Sequence, residues 1–244
     1  THPDIVKFIR SKQNGKRLVN FNISVAITED FVEKVIKNED YDLINPRTGH
    51  ITGQLNAKEV FLKIIHGAYR NGEPGMVFLD RINEDNKVGE QYGDMIATNP
   101  CGEQPLASYT ACNLGNLNLV KFVNRDGSFD FEALADATAV ATRFLDDVIE
   151  YNMHSHALPK IRDAVASDRR VGLGITGLAD ALVMMQSKYD SEEALEVVDE
   201  IMQVICHKAY DTSVGLAQEK GNFPLFDWEG LSQSKFIQSL PQDL

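Results

Sequence analysis

Asn99-Pro100-Cys101-Gly102-Glu103 places an amide, a thiol and a carboxylate at alternate positions, and a second thiol, Cys112, follows eleven residues after the first. A carboxylate can take a proton, an amide can hold a hydroxyl, and a sulfur can do redox or radical work. Pro100 and Gly102 flank Cys101 and favour a tight, non-helical loop with the thiol at its tip. In an extended loop, residues 99, 101 and 103 share parity and converge on one ligand. Zinc needs further Cys or His ligands in pairs, and none accompany Cys101 and Cys112, so zinc is disfavoured. On residue types alone a structural Cys101, packed as a small hydrophobe, stays open beside the catalytic reading.

Other motifs carry less. Gly172, Gly174 and Gly177 in "GLGITG" match the spacing of a dinucleotide loop, but "SDRRV" precedes them and the region about 20 residues on reads as helix. Tight turns or close packing explain those glycines better. His154 and His156 have no ligand set at metal spacing, and His50, His66 and His207 are isolated, so no metal is expected. "KQNGKR", Lys12 to Arg17, is a small basic loop in an acidic protein. It is either a solvated turn or an anion- and nucleotide-contacting loop.

The elements that must position these residues alternate. A short helix is expected from Pro3 to Lys12, with Ile5, Phe8 and Ile9 on one face, then a strand over Phe21–Ile27 that presents Asn22 and Ser24 on its other face. "NPRTGHITG" joins two short strands, and Asn56 caps a helix to Asn71 with Val60, Phe61, Ile64 and Ile65 inward and Gly72 closing it. "GMVFLDRIN" reads as a buried strand. A long helix from Asp130 to about His154 repeats Leu134, Ala137, Ala141, Phe144, Leu145 and Val148. Another starts near Asp190 and Glu193, buries Leu195, Val198, Ile201, Met202 and Ile205, and ends at Gly221, before the loop "NFPLFDWEG". This order predicts an α/β architecture with a mainly parallel sheet or barrel, in one continuous and incomplete domain.

Composition sets the outer limits. The 244 residues are 43% hydrophobic and 25% charged, with 24 Lys and Arg against 36 Asp and Glu, a net charge of −12 and a pI near 4.9. That balance argues against duplex nucleic acid, so DNA is not expected as a partner, while a nucleotide needs only a local anion site. No apolar run is long enough to cross a membrane. Three cysteines and no leader pattern favour a reducing cytoplasm, and a start without Met reads as a truncated chain.

The loop "NPCGE" followed by "PL…ACNLGNLNL" resembles the finger loop of ribonucleotide reductase large chains. "HPDIVKFIRSKQ" with "FNISVAIT", then "GEPGMVFLDRIN", "RRVGLGITGLAD" and "EKGNFPLFD", resemble the same family in the same order. The wording is most similar to the adenosylcobalamin-dependent class. The resemblance implies a ten-stranded α/β barrel around a central cysteine loop, of which residues 1–244 are a partial catalytic barrel domain. It implies reduction of ribonucleotides to 2′-deoxyribonucleotides, with adenosylcobalamin as cofactor, for DNA precursor synthesis. Residue by residue, Cys101 becomes the thiyl radical that takes the ribose 3′-hydrogen, and Glu103 the base at the 3′-hydroxyl. Asn99 holds the substrate hydroxyls, with Pro100 and Gly102 completing the substrate-binding string. Cys112 becomes one of two thiols that end as a disulfide. Lys12, Gln13 and Arg17 fall where the family has a specificity loop.

The resemblance also implies partners: a ribonucleoside di- or triphosphate, dNTP and ATP effectors, a thioredoxin-type reductant, and a second copy of the full-length chain. It places the partner of Cys112, the effector region, the phosphate loop and the terminal cysteine pair outside this sequence, so a central fragment that does not turn over alone is expected. Two other readings stand beside it. One is a class I large subunit whose radical arrives from a separate subunit; the other is a non-catalytic nucleotide-binding or assembly fragment.

Overall fold

The computed structural model describes residues 1–15, 17–86 and 93–241. Lys16, within the basic loop, lies outside the described residues. The chain divides into two compact units, one of residues 1–86 with 94–108, the other from residue 109 onward.

In the first unit α1 (Ile5–Ile9) leads to β1 (Ser24–Ile27), α2 (Glu29–Lys37), β2 (Asp40–Ile44) and β3 (Ile51–Asn56). There follow α3 (Ala57–Asn71), β4 (Gly75–Phe78), α4 (Leu79–Glu84), β5 (Ala97–Thr98) and β6 (Pro105–Leu106). The helix ends obey their capping chemistry. Thr28 Oγ1 accepts from Phe31 N–H at the start of α2, Asn56 Oδ1 accepts from Glu59 N–H at the start of α3, and Gly72 closes α3 as expected. β2 and β3 form an antiparallel hairpin through the turn-rich segment, while β1 and β4 run parallel, Ser24 opposite Gly75 and Ile27 opposite Phe78.

Ile9, Val25, Ile27, Tyr41, Ala57, Val60 and Ile64 make the core of this unit, and Phe31 meets Tyr41 edge-on with ring centroids 5.3 Å apart. Each fully buried aliphatic contributes about 1.5–3 kcal/mol over its exposed state. Several expectations are corrected here. α1 is shorter than Pro3 to Lys12 and leaves Phe8 in solvent, and β1 starts at Ser24, so Phe21 is exposed. "GMVFLDRIN" is a strand only to Phe78 and then helix, with Met76 and Phe78 outward. Ile65 faces out, because the buried stripe of α3 follows Ala57, Val60, Ile64 and Gly67.

The second unit contains β7 (Asn113–Asn118), a 3₁₀ turn (Leu119–Phe122), α5 (Phe131–Asn152), α6 (Pro159–Asp168), β8 (Val171–Thr176) and α7 (Leu178–Met184). Then come α8 (Glu192–Lys220), α9 (Trp228–Leu231), in a segment expected to be loop, and α10 (Lys235–Ser239). β7 and β8 pair in parallel, Asn113 opposite Val171 and Asn118 opposite Thr176. Leu119, Leu134, Ala181, Ile201 and Ile205 form the core. The buried face of α5 follows Leu134, Thr138, Thr142, Leu145 and Ile149, so Phe144 points outward, contrary to expectation. Both threonines can be buried because each hydroxyl donates to the carbonyl one turn back, on Leu134 and on Thr138. α8 is capped by Ser191 rather than Asp190, and Leu195 and Met202 are exposed.

A charged clasp ties α5 to the start of β8 and the end of α8. Asp146 accepts from Arg169 Nε at 2.8 Å and from Lys220 Nζ at 2.8 Å; Arg169 also reaches Glu150, and Lys220 reaches Asp147. Burial pushes the Asp146 carboxyl up, but the hydrogen bonds and charges of Arg169 and Lys220 together outweigh it and hold it below its usual range. Because the folded value is depressed, the clasp is at full strength above the unfolded value of about 3.9 and is lost as pH falls through the folded one. Hydrogen exchange in the α5 peptide of the full-length protein tests this. Wild type is expected to be better protected than Asp146→Asn at pH 6, with the gap narrowing as pH falls below the unfolded value of about 3.9. A gap as wide at pH 3 as at pH 6 refutes it.

The described strands pair only two by two, in two parallel and two antiparallel pairs, with no closed barrel among the described residues. A barrel requires each strand to be paired on both edges, and each strand here has one neighbour. The architecture is mixed α/β.

Candidate active site

Residues 99–104 form the tip of the β5–β6 hairpin. Ala97 pairs with Leu106 and Thr98 with Pro105, and Ile96 N–H donates to the Leu106 carbonyl. The tip turns back on itself. Asn99 N–H donates to Gln104 O at 3.1 Å, Gly102 N–H to Asn99 O at 3.1 Å, and Gln104 N–H to Asn99 Oδ1 at 3.0 Å. Gly102 takes a φ of +84°, the left-handed geometry this turn requires. The base of the hairpin is pinned by Asn83 of α4, which donates to Met95 O at 3.0 Å and accepts from Met95 N–H at 2.7 Å.

This geometry changes the parity argument. The loop is a closed turn, not an extended strand, so alternate positions do not share a face by pleating. Asn99, Pro100, Cys101, Gly102 and Glu103 all lie within this one turn. Cys101 and Glu103 are exposed at its tip, as Pro100 and Gly102 on either side of the thiol imply. Asn99 has a second duty that its spacing did not announce. Its side-chain oxygen closes the turn, and its amide N–H₂ is the group that can donate to a ligand.

Sequence reasoning did not place Asn22 in the site. Its Nδ2 donates to Cys101 Sγ at 3.8 Å, the separation expected of an N–H to sulfur contact. The available signal was the strand pattern, which put Asn22 on the outward face without naming its target.

Lys12 is half-buried, and its ammonium joins the Glu73 carboxylate and the Phe21 carbonyl, while Asn71 Nδ2 donates to Lys12 O at 3.1 Å. Gln13 is half-buried beside it. Arg17 is exposed and lines, with Lys7, Phe8, Ser11 and Leu18, a shallow cavity of about 510 Å³. Cys112 belongs to the second unit, half-buried just before β7, and its thiol donates to the Asn113 carbonyl at 3.7 Å. Cys206 on α8 lines a cavity of about 380 Å³ with Leu173, Ile205, Tyr210 and the clasp residues Asp146, Arg169 and Lys220, and burial pushes its thiol up, away from the reactive thiolate. Among the described residues no disulfide joins cysteines, and no cluster of three metal-ligating side chains forms. No described helix is long and apolar enough to cross a membrane.

The "GLGITG" string is strand β8 itself, running into α7 at Gly177, and so is no dinucleotide loop. A Cβ on Gly174 would sit 2.6 Å from Asn116 Oδ1, and one on Gly177 2.6 Å from Asn118 Oδ1. The glycines admit β7 side chains.

The model of the ribonucleotide reductase barrel domain matches residues 1–242. The chain belongs to that family. Among its relatives, the vitamin B12-dependent ribonucleoside-diphosphate reductase of Thermoplasma acidophilum is 44% identical over 93% of this chain and 30% of its own length. The protein of that name from Mycobacterium tuberculosis is 41% identical over 99% of this chain and 34% of its own. The ribonucleoside-diphosphate reductase large chain of Cryptosporidium parvum is 28% identical over 97% and 33%. The chain thus spans about a third of the length of the curated relatives it matches.

Proposed function

We propose that this chain is the radical-loop segment of an adenosylcobalamin-dependent reductase that converts ribonucleoside diphosphates to 2′-deoxyribonucleotides. The observation that carries the reading is the β5–β6 tip, where one turn presents the thiol of Cys101 beside Asn99 and Glu103, in a chain of this family. Relatives named as vitamin B12-dependent, at 30–44%, include the two at 41–44%, while the large chain without that name is at 28%, which favours that class over one with a separate radical subunit.

The steps balance with one further thiol from the longer protein. A sulfur-centred radical on Cys101 takes the ribose 3′-hydrogen: the C–H bond breaks, an S–H bond forms, and the unpaired electron moves to C3′. Glu103 takes the 3′-hydroxyl proton and later returns it to that oxygen, and the 2′-hydroxyl leaves as water with a proton from the thiol pair. The amide N–H₂ of Asn99 holds the hydroxyls in register. Cys112 and a second thiol elsewhere in the longer protein supply two electrons and two protons and end as a disulfide. Cys101 then returns its hydrogen atom to C3′. Adenosylcobalamin, when bound, would supply the one-electron chemistry that makes Cys101 a radical, and the exposed thiol at the loop tip is the group of this chain open to it.

The finer fold belongs to the same proposal: β1 with β4 and β7 with β8 are parallel pairs of a ten-stranded barrel completed by the rest of the full-length protein. Lys12, engaged with Glu73, holds the base of the specificity loop, and Gln13 and Arg17 take the contact with nucleotide base or phosphate. dNTP and ATP effectors, a thioredoxin-type reductant and a homo-oligomer of the full-length chain complete the partners, in the cytoplasm.

The test is deoxyribonucleotide formation by the full-length protein given a ribonucleoside diphosphate, a dithiol and adenosylcobalamin. Turnover without any second subunit is expected, and strict dependence on one overturns the class. Cys112→Ser separates the two thiols. It is expected to reduce product by at least about a hundredfold, as loss of a reacting group does, yet to leave hydrogen exchange at C3′ detectable. Loss of that exchange would place Cys112 in the radical step instead.

A further inference from the structure

Asn22 precedes β1, and both backbone groups that flank it are fixed from outside the strand. On one side the Phe21 carbonyl accepts from the Lys12 ammonium; on the other, Ile23 N–H donates to Glu73 Oε2 at 3.1 Å. Lys12 and Glu73 are paired with each other, and their side chains are only 13% and 20% exposed. The anchor is itself anchored. Asn71 holds the Lys12 carbonyl with its Nδ2 and the Glu73 N–H with its Oδ1, at 3.1 and 3.2 Å. Ile23 O also accepts from Gly75 N–H at 2.9 Å, which docks this end of the strand on β4.

A side chain on so braced a backbone points in a defined direction, and its amide donates to Cys101 Sγ at 3.8 Å. Asn22 is exposed, so no packing requirement explains an amide here. The contact does have chemical content. A donor at the sulfur occupies one lone pair and favours one rotamer of the thiol, and it stabilises negative charge on sulfur.

We propose that Asn22 is a positioning residue for Cys101, holding the sulfur in the orientation from which it exchanges hydrogen with the substrate. This rests on the radical role given to Cys101 above. Lys12 and Glu73 brace the segment that carries Asn22 into β1, which makes the base of the basic loop and the radical-bearing turn parts of one hydrogen-bonded network. Asn22 touches no reacting atom of the substrate. It acts through the sulfur, and misplacement of a reacting group by about an ångström lowers rates by about a hundredfold.

The experiment uses the full-length reductase with Asn22→Ala and Asn22→Asp. Asp keeps the shape of Asn but cannot donate when ionised, so a residue that merely fills space would tolerate it. Both variants are expected to lower kcat by about ten- to a hundredfold with KM for the ribonucleoside diphosphate within about twofold. A second readout needs no turnover: alkylation of Cys101 by iodoacetamide at one pH, followed on its peptide by mass spectrometry. The anion added beside the sulfur in Asn22→Asp is expected to slow it about tenfold, because a neighbouring negative charge opposes the reacting thiolate. Alkylation of Cys206 in the same samples should not change. If Asn22→Asp matches wild type in kcat and in alkylation, the positioning role is wrong. A Cys101→Ser protein that still reduces ribonucleotides refutes the underlying assignment instead. An inactive Cys101→Ser beside unaltered Asn22 variants refutes only the role of Asn22.

Discussion

Cys101→Ser in the full-length protein is expected to lower deoxyribonucleotide formation by at least about a thousandfold, more than about 4 kcal/mol of transition-state stabilisation at 1.36 kcal/mol per decade. The size of the effect follows from what the substitution leaves untouched. Serine is close to cysteine in shape, and the side chain sits exposed at the hairpin tip, so no core is disturbed. The bonds that close the turn run between Asn99, Gly102 and Gln104, and none uses the sulfur. Asn22 can donate to an oxygen as well as to a sulfur. What disappears is a weak S–H bond whose hydrogen is exchanged with carbon at little net cost; an O–H bond is far stronger and cannot play that part. Product formation by the variant, measured beside its hydrogen exchange, decides the point. Retention of a tenth or more of wild-type turnover would remove Cys101 from the radical step and leave the turn as structure.

The parts of this arrangement that sequence could give are the local ones. Capping at Asn56 and Asp130, closure at Gly72 and Gly221, and the antiparallel hairpin across "NPRTGH" are each determined by residues within a few positions of one another. The amphipathic faces were half legible. Ile64 and Leu145 fell inside as the spacing required, but Ile65 and Phe144 are exposed, because the width of a buried stripe depends on what packs against it. At the site, the loop-tip thiol was readable from Pro100 and Gly102. The convergence of 99, 101 and 103 expected from strand parity presumes an extended loop, whereas residues 99–104 form a turn closed by Asn99. Parity is a property of paired strands, and it lapses where the pairing stops. Asn22 was beyond reach for a different reason: its target lies 79 positions away, and only tertiary structure joins them.

The glycine string teaches the same lesson with a measurable consequence. Gly177→Ala is expected to destabilise the β7–β8 pair by about 2–3 kcal/mol: about 1–2 from holding a Cβ at left-handed φ and about 1 from a displaced cap. Gly177 has a φ of +73°, and its added Cβ would lie 2.6 Å from Asn118 Oδ1. That oxygen accepts from Val120 N–H and starts the 3₁₀ turn that leads to buried Leu119. Moving it therefore loosens a cap and shifts the end of β7, the strand that begins directly after Cys112. Gly72→Ala is the comparison. Its φ is also positive, +81°, but nothing lies within 4 Å of the added carbon, so only the backbone part of the effect should appear. Hydrogen exchange in the full-length protein reads both. Opening of the peptides over Asn113–Asn118 and Val171–Thr176 should rise by about a hundredfold in Gly177→Ala, and the peptide over α3 by about tenfold in Gly72→Ala, since about 1.4 kcal/mol corresponds to one decade. Equal effects would mean that the close approach to Asn118 carries no energy, and the glycine at 177 would then be there for its backbone angle alone.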